Sequence, residues 1–470
     1  MASATTAKQS ASRKAQLLIA GPFLFWAVAA ATQSNPGIAS SSLEHDFQAA
    51  MAARDGGDLE RAKEMLSAIR QKHPGIFPVD ESLGLIYVAE QKYADALPLL
   101  QTAAHEQADS DVAHANLGAD FYKLGRESEA RREFEEAARL NPNNAATQQG
   151  LGELWLNAGE PKRALEAFRA ALKAKRDDAD LEMDCATAMV AVGQLDDAKA
   201  MLSKLPEAAQ TQELLGEIAE KQGDYQRAVV RFSRAIELDP SETNAWTLGV
   251  ELLRHWSFDP AIREFAAAVA KFPSSTRMKL GLGAAYFGDA KYAEAIPVFA
   301  ELLQTDENNS LYAEMLGMAC NAVTESAKGQ CSALLTYARN HRHDARAATY
   351  AASMLLTETA SGERTATARE FLNTALAADP KLPDAHYQMG ILKQNEGDWA
   401  GSIGNLEAAI ALKPDLAQAH YRLALAYWRT GRKQDGQAQM ELQKKYAKQE
   451  KEDMASRLRQ ITTFIVDVRQ

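Results

Sequence analysis

No catalytic signature runs through this chain: it has no Gly-rich phosphate loop, no nucleophile elbow, no His-Glu-x-x-His and no Cys-x-x-Cys. Those absences remove the sequence signs of phosphoryl transfer, serine hydrolysis, zinc-dependent cleavage and thiol redox chemistry, so neither an enzyme nor a cofactor is expected. Cations are outnumbered, 52 Lys and Arg against 63 Asp and Glu, for a formal net charge of −11. That balance argues against nucleic acid or an anionic bilayer as the partner of the bulk of the chain. Aromatics make up only 7% and alternating β-branched runs are missing, which argues for helices rather than sheets. A single compact core built from 470 residues would be unusual as well.

What the chain has is a period. Ala62, Ala96, Ala130, Ala164 and Ala198 stand 34 residues apart, and the series resumes at Ala228, Ala261, Ala295, Ala368, Ser402 and Gly436. A second series keeps step with it: Gly84, Gly118, Gly152, Ala186, Gly216, Gly249, Gly283, Gly317, Ala351, Gly390 and Ala424. Two small-residue registers locked at one spacing mean two helices per unit, each approaching the other where its side chains are small. Pro142, Pro240, Pro273, Pro380 and Pro414 mark turns, because the residue before a proline is pushed out of the α region. The unit near Ala179 is four residues short, which clips its second helix or exit turn around Pro206. Around Ser326 to Gly329 and Thr359 to Arg364 the register slips, which reads as lengthened loops.

From Asp111 to Asn144 the unit carries Leu117, Gly118, Phe121, Ala130, Phe134, Ala137 and Pro142. It resembles the tetratricopeptide repeat family, and about twelve such units run from roughly residue 43 to 450. The resemblance implies an all-α, right-handed superhelical solenoid whose first helices line a concave groove for a protein or peptide partner. The family's groove positions fall in the C-terminal units on Trp246, Val250, Leu253, Leu280, Phe287, Met318, Tyr387, Ile391, Tyr421, Leu425 and Trp428, with Arg254 and Arg429 one residue beyond two of them. That wall is apolar and aromatic, as a partner's anchors require. The bland reading is that first-helix residues also pack between neighbouring repeats. In the N-terminal units the same positions hold Ala115, Ala119, Gln149, Glu153, Asp180, Glu213, Glu217 and Glu220. The Lys/Asn/Arg set with which chaperone-binding members hold a C-terminal carboxylate is absent.

The first residues form a separate region. Lys8 and Arg13-Lys14 precede the apolar stretch Leu17 to Ala31, which ends in small residues. This order reads as a signal peptide over 1–31, followed by a flexible linker over 32–42, with an uncleaved membrane anchor as the alternative. Either way the repeats are expected on the exported side, periplasmic or secreted, with membrane contact only through an uncleaved segment. Cys320 and Cys331 flank an irregular loop, and the sequence leaves a bridge between them open, while Cys185 reads as a buried thiol. His341 and His343 read as a solvated helix end. His386 and His420 fall at equivalent places in their repeats and read as repeat identity before any ligand role. Residues 451–470 place Met454, Leu458, Ile461, Ile465 and Val468 at spacings of four, three, four and three. This is an apolar seam, read as a capping helix, with a dimerisation seam as the alternative.

Overall fold

The computed structural model describes residues 41–323, 331–356 and 362–468, with side chains described from Ser42 to Lys451. The signal segment and most of the linker lie outside the described residues, as do the loop at 326–329 and the first part of the loop at 359–364. Every described element is helical, and the helices fall into twelve consecutive pairs. The third pair is α5 (Asp111–Lys123) and α6 (Glu127–Leu140), and the fourth is α7 (Ala145–Asn157) and α8 (Pro161–Ala174). The described residues form two compact units, one up to Glu207 and the other from Ala208 onward. Within each unit a second helix lies on its own first helix and on the first helix that follows, and successive first helices also touch. First helices thus make one layer and second helices another.

The small residues are small because an aromatic sits on them. A Cβ on Gly118 would come 3.0 Å from the Phe134 ring, and one on Gly150 would come 2.4 Å from the same ring. Phe134 is therefore gripped by the first helix of its own repeat and by that of the next. Phe265 is held in the same way between Gly249 and Gly281. Ala130, Ala164, Ala228, Ala261 and Ala295 have no exposed surface. The two registers read from the sequence are the two sides of one tight helix contact.

Helix starts and turns repeat as faithfully. Ser110, Asn144, Ser241, Ser275, Asn309 and Asp344 each cap a first helix by accepting a backbone N–H three residues on. Between the two helices of a pair, Gly125, Gly159, Gly193, Gly223, Gly397 and Gly431 take positive φ, which glycine adopts without steric cost. His386 and His420 donate from Nε2 to the carbonyls of Pro380 and Pro414, both at 2.9 Å, which fastens the preceding turn. His114 and Gln148 stand at the same place in their repeats and grip Ala108 and Pro142. The clipped fifth pair is real, since its second helix, Leu195–Leu202, has 8 residues where its neighbour Pro161–Ala174 has 14. The tail differs from a separate capping helix: Lys433–Val468 is one continuous helix, so the expected boundary after residue 450 falls inside it.

Candidate functional site

The first-helix layer of each unit is the surface on which the expected site lies, and the two units present different chemistry there. In the C-terminal unit the named residues separate into three groups. Trp246, Val250, Leu253, Leu280, Phe287, Met318, Tyr387 and Leu425 are half-buried. Trp246 meets Phe265 edge-on at 5.8 Å, and the Arg277 guanidinium of the next repeat lies 5.3 Å from its ring. Phe287 meets Tyr292 edge-on at 5.1 Å, and Tyr387 packs beside Leu406 and Leu423. Ile391 is a correction: at 8% exposure it sits in the core and offers a partner no face.

Tyr421 and Trp428, 44% and 38% exposed, form the third group. Both lie on Ala417–Arg429, the first helix of the last described pair. The physical reason is the stack itself. Trp246 is covered by the repeat that follows it, and no described pair follows Tyr421 and Trp428. Arg429 lies 5.3 Å from the Trp399 ring. Arg254 is engaged with Glu220 and with Glu251, the latter at 3.1 Å, so its charge is already committed within the wall.

In the N-terminal unit the wall is polar and knitted across repeats. Asn116 donates to Glu81 of the previous repeat at 3.0 Å, Gln149 donates to Asp184 of the next at 3.0 Å, and Asn157 donates to the Tyr122 hydroxyl of the previous at 2.8 Å. Tyr122 in turn bonds Glu153. Burial in this wall pushes Glu81 up to about 6, with the Asn116 bond opposing it. Burial, reinforced by the Asp184 charge, pushes Glu153 up to about 8, and burial pushes Asp184 up to about 7. Sequence reasoning named Gln149 and Glu153 as wall residues but did not see that Glu81, Asn116, Tyr122, Asn157 and Asp184 join them.

Two further acids escaped the sequence reading although the signal was there. Ile86, Leu154, Ala188, Ile218, Ala285, Ala319, Leu392 and Ala426 share one register of the first helices, and all are buried. In that register the third pair carries Asp120 and the seventh carries Glu251, exposed by only 1% and 2%. Neither Asp120 carboxylate oxygen has a hydrogen-bond partner, and burial lifts the group to about 7. Glu251 is likewise lifted to about 7, by burial first and then by Glu220, against the pull of Arg254. Burial thus holds both carboxyl groups well above the usual carboxylate range.

Cys320 and Cys331 are joined as a disulfide across the end of Ser310–Ala322 and the start of Ser332–Asn340, and Cys185 is a buried free thiol. His341 is accounted for locally: its ring stacks on Tyr337 and bonds the Asn308 side chain at 3.0 Å. Among the described residues no helix is long and apolar enough to cross a membrane.

Models of the tetratricopeptide repeat match residues 47–113, 112–144, 156–218, 209–242 and 247–310, and a TPR-repeat model matches 395–431. Together these spans cover more than half of the chain. The chain belongs to the tetratricopeptide repeat family. Among curated relatives, the chain is 24% identical to mouse Superkiller complex protein 3 over 55% of its own length and 17% of that protein. It is 25% identical to Cellulose synthase operon protein C of Pseudomonas fluorescens (strain SBW25) over 47% of its length and 19% of that protein. The chain thus spans under a fifth of either relative. A solved tetratricopeptide repeat protein from Parabacteroides merdae ATCC 43184 aligns over 52% of this chain and 99% of its own, with 18% identity and a TM-score of 0.42.

Proposed function

We propose that this chain is an exported, non-catalytic scaffold that holds a partner protein on its first-helix walls. The observation that carries the reading is the exposed pair Tyr421 and Trp428 at the end of the aromatic wall. Large aromatics that the fold leaves uncovered are the anchors a protein interface uses, and truncating one typically costs about 2 kcal/mol or more of binding. Export is supported by the basic, apolar, small-residue order of the first 31 residues and by the Cys320–Cys331 bridge, which suits an oxidising compartment. The test uses the chain as bait for envelope and secreted fractions of its host, beside Tyr421→Ala/Trp428→Ala. A protein retained by the first and lost by the second, with melting unchanged, supports the scaffold; equal retention by both removes this wall from the account. N-terminal sequencing of the host's protein tests export, with a first residue expected between Ala29 and Asn35.

A second reading, handling of an extracellular polysaccharide, draws on the same exposed aromatics, which can stack on sugar rings, and on the likeness to Cellulose synthase operon protein C. Titration with a soluble glucan separates the two readings. A sugar perturbs only a few Trp and Tyr signals, whereas a protein protects many backbone amides.

A further inference from the structure

One short motif carries a chemistry that the repeat does not use. Asn308-Asn309-Ser310 is an Asn-x-Ser triplet whose middle residue is not proline, and no other asparagine of the chain has Ser or Thr two places on. Such a triplet is the acceptor signal for an oligosaccharide on the asparagine amide, provided that it stands on a surface turn of an exported chain. The turn is there. Residues 306–309 join the helices Tyr292–Thr305 and Ser310–Ala322, and Asn308 and Ser310 are both exposed. The Asn308 backbone N–H donates to Asp306 Oδ1 at 3.2 Å, and Asn308 Oδ1 lies 3.0 Å from His341 Nε2. Neither bond uses Nδ2, the atom that takes the sugar.

The shape of this turn belongs to the repeat. Five pairs earlier the Asn143 backbone N–H donates to Asn141 Oδ1 at 3.1 Å, and Asn144 caps its helix as Asn309 does here. Repeat geometry therefore accounts for Asn309. It does not account for the third residue, because the earlier helix opens on Ala145 and this one on Ser310, which completes the signal at this turn alone. The compartment is marked by the same helix. Ser310–Ala322 carries Cys320, bridged to Cys331, and such a bridge persists in the oxidising compartments through which exported chains pass.

We propose that Asn308 is the acceptor of an N-linked oligosaccharide in the exported protein. The donor is a polyprenyl-diphosphate-linked oligosaccharide of the export membrane. A bond forms between Asn308 Nδ2 and C1 of the first sugar while the bond from C1 to the diphosphate oxygen breaks. Polyprenyl diphosphate leaves, one amide proton passes to a base of the transferring enzyme, and nothing is oxidised or reduced. The product is still an amide with its carbonyl intact, so Oδ1 can keep its bond to His341 and the turn keeps its form. Glycans are bulky and solubilising, and the exposed turn is a place where one is accommodated. This inference rests on the export reading.

The full chain is purified from each cell fraction of its host, and the peptide containing Asn308 is weighed by mass spectrometry beside those of Asn308→Gln, Ser310→Ala and Ser310→Thr. Sugar mass is expected on Asn308 in the wild type and in Ser310→Thr, and is expected to vanish in the other two with helix content unchanged. Should Asn308→Gln lose helix content, Ser310→Ala decides alone, because it leaves Asn308 and its His341 bond in place. Bare Asn308 on protein from the envelope or secreted fraction overturns this inference and leaves export standing. A chain found only in the cytoplasm with Asn308 bare overturns both. Sugar that survives Ser310→Ala overturns the assignment to the triplet.

Discussion

The two units are built from one repeat but spend its first-helix wall differently. Up to Glu207 the wall is a run of hydrogen bonds from each repeat to the next, with Glu81, Glu153 and Asp184 lifted by burial. The unit from Ala208 onward still holds Glu213 and Glu220 in its first repeat, but from Glu242 its wall carries Trp246, Leu280, Phe287 and Tyr387, half-buried, and ends in the exposed Tyr421 and Trp428. The contrast teaches that the repeat fixes where a side chain sits, while the next repeat decides whether it is covered. The cores do not differ in this way, since Phe134 in one unit and Phe265 in the other are gripped by paired glycines alike.

The largest expected effect is therefore one the two units share. Phe134→Ala and Phe265→Ala should each cost about 3 to 5 kcal/mol, the range for removing a fully buried aromatic. Chemical denaturation with two probes checks this, and a loss in one unit only would break the symmetry of the cores. Next comes a change confined to the C-terminal unit: Cys320→Ser/Cys331→Ser should lower stability by about 3 kcal/mol, as expected for opening a loop of this order. Reductant should mimic the variant and leave a Cys-free variant unmoved.

The third prediction sharpens the polar side of the comparison. In the unfolded chain Asp120, Glu153, Asp184 and Glu81 release their protons near the ordinary carboxylate range. In the folded chain they release them only at about 7, 8, 7 and 6. Between these limits the folded state holds more protons, so its stability falls as pH rises from about 4.5 to 8. Asp120→Asn should remove part of that slope, the gain over wild type being larger at pH 8 than at pH 5 by about 1 to 3 kcal/mol. Melting curves across that range decide it; an unchanged slope would show that Asp120 does not titrate there. The smallest effect separates covered from uncovered aromatics: Trp246→Ala should cost roughly 2 kcal/mol and Trp428→Ala under about 1, in proportion to apolar area buried. Equal losses would erase the distinction between the middle of the wall and its end.

Much of this was legible from spacing alone. The registers of Ala130 and Gly118 located both helices and their contact, and the missing residues near Pro206 located the shortened helix Leu195–Leu202. Side-chain burial was less legible, because periodicity gives a direction around a helix and not what a neighbour places in front of it. Trp246 and Tyr421 occupy the same repeat position, yet Arg277 and Phe265 flank the first, and the second stays exposed. The cross-repeat bonds were hidden for a related reason. The three amide bonds join residues 35 apart, Asn116 to Glu81, Gln149 to Asp184 and Asn157 to Tyr122, one step off the 34-residue register that aligns the units.

The central claim is that stability is local, each repeat being held by its neighbours. Residue-resolved hydrogen exchange on Phe265→Ala tests it most directly. The account predicts lost protection in the pairs from Glu242 to Thr305, fading within a repeat or two, with protection across Asp111–Ala174 unchanged. Uniform loss of protection along the whole chain would contradict it.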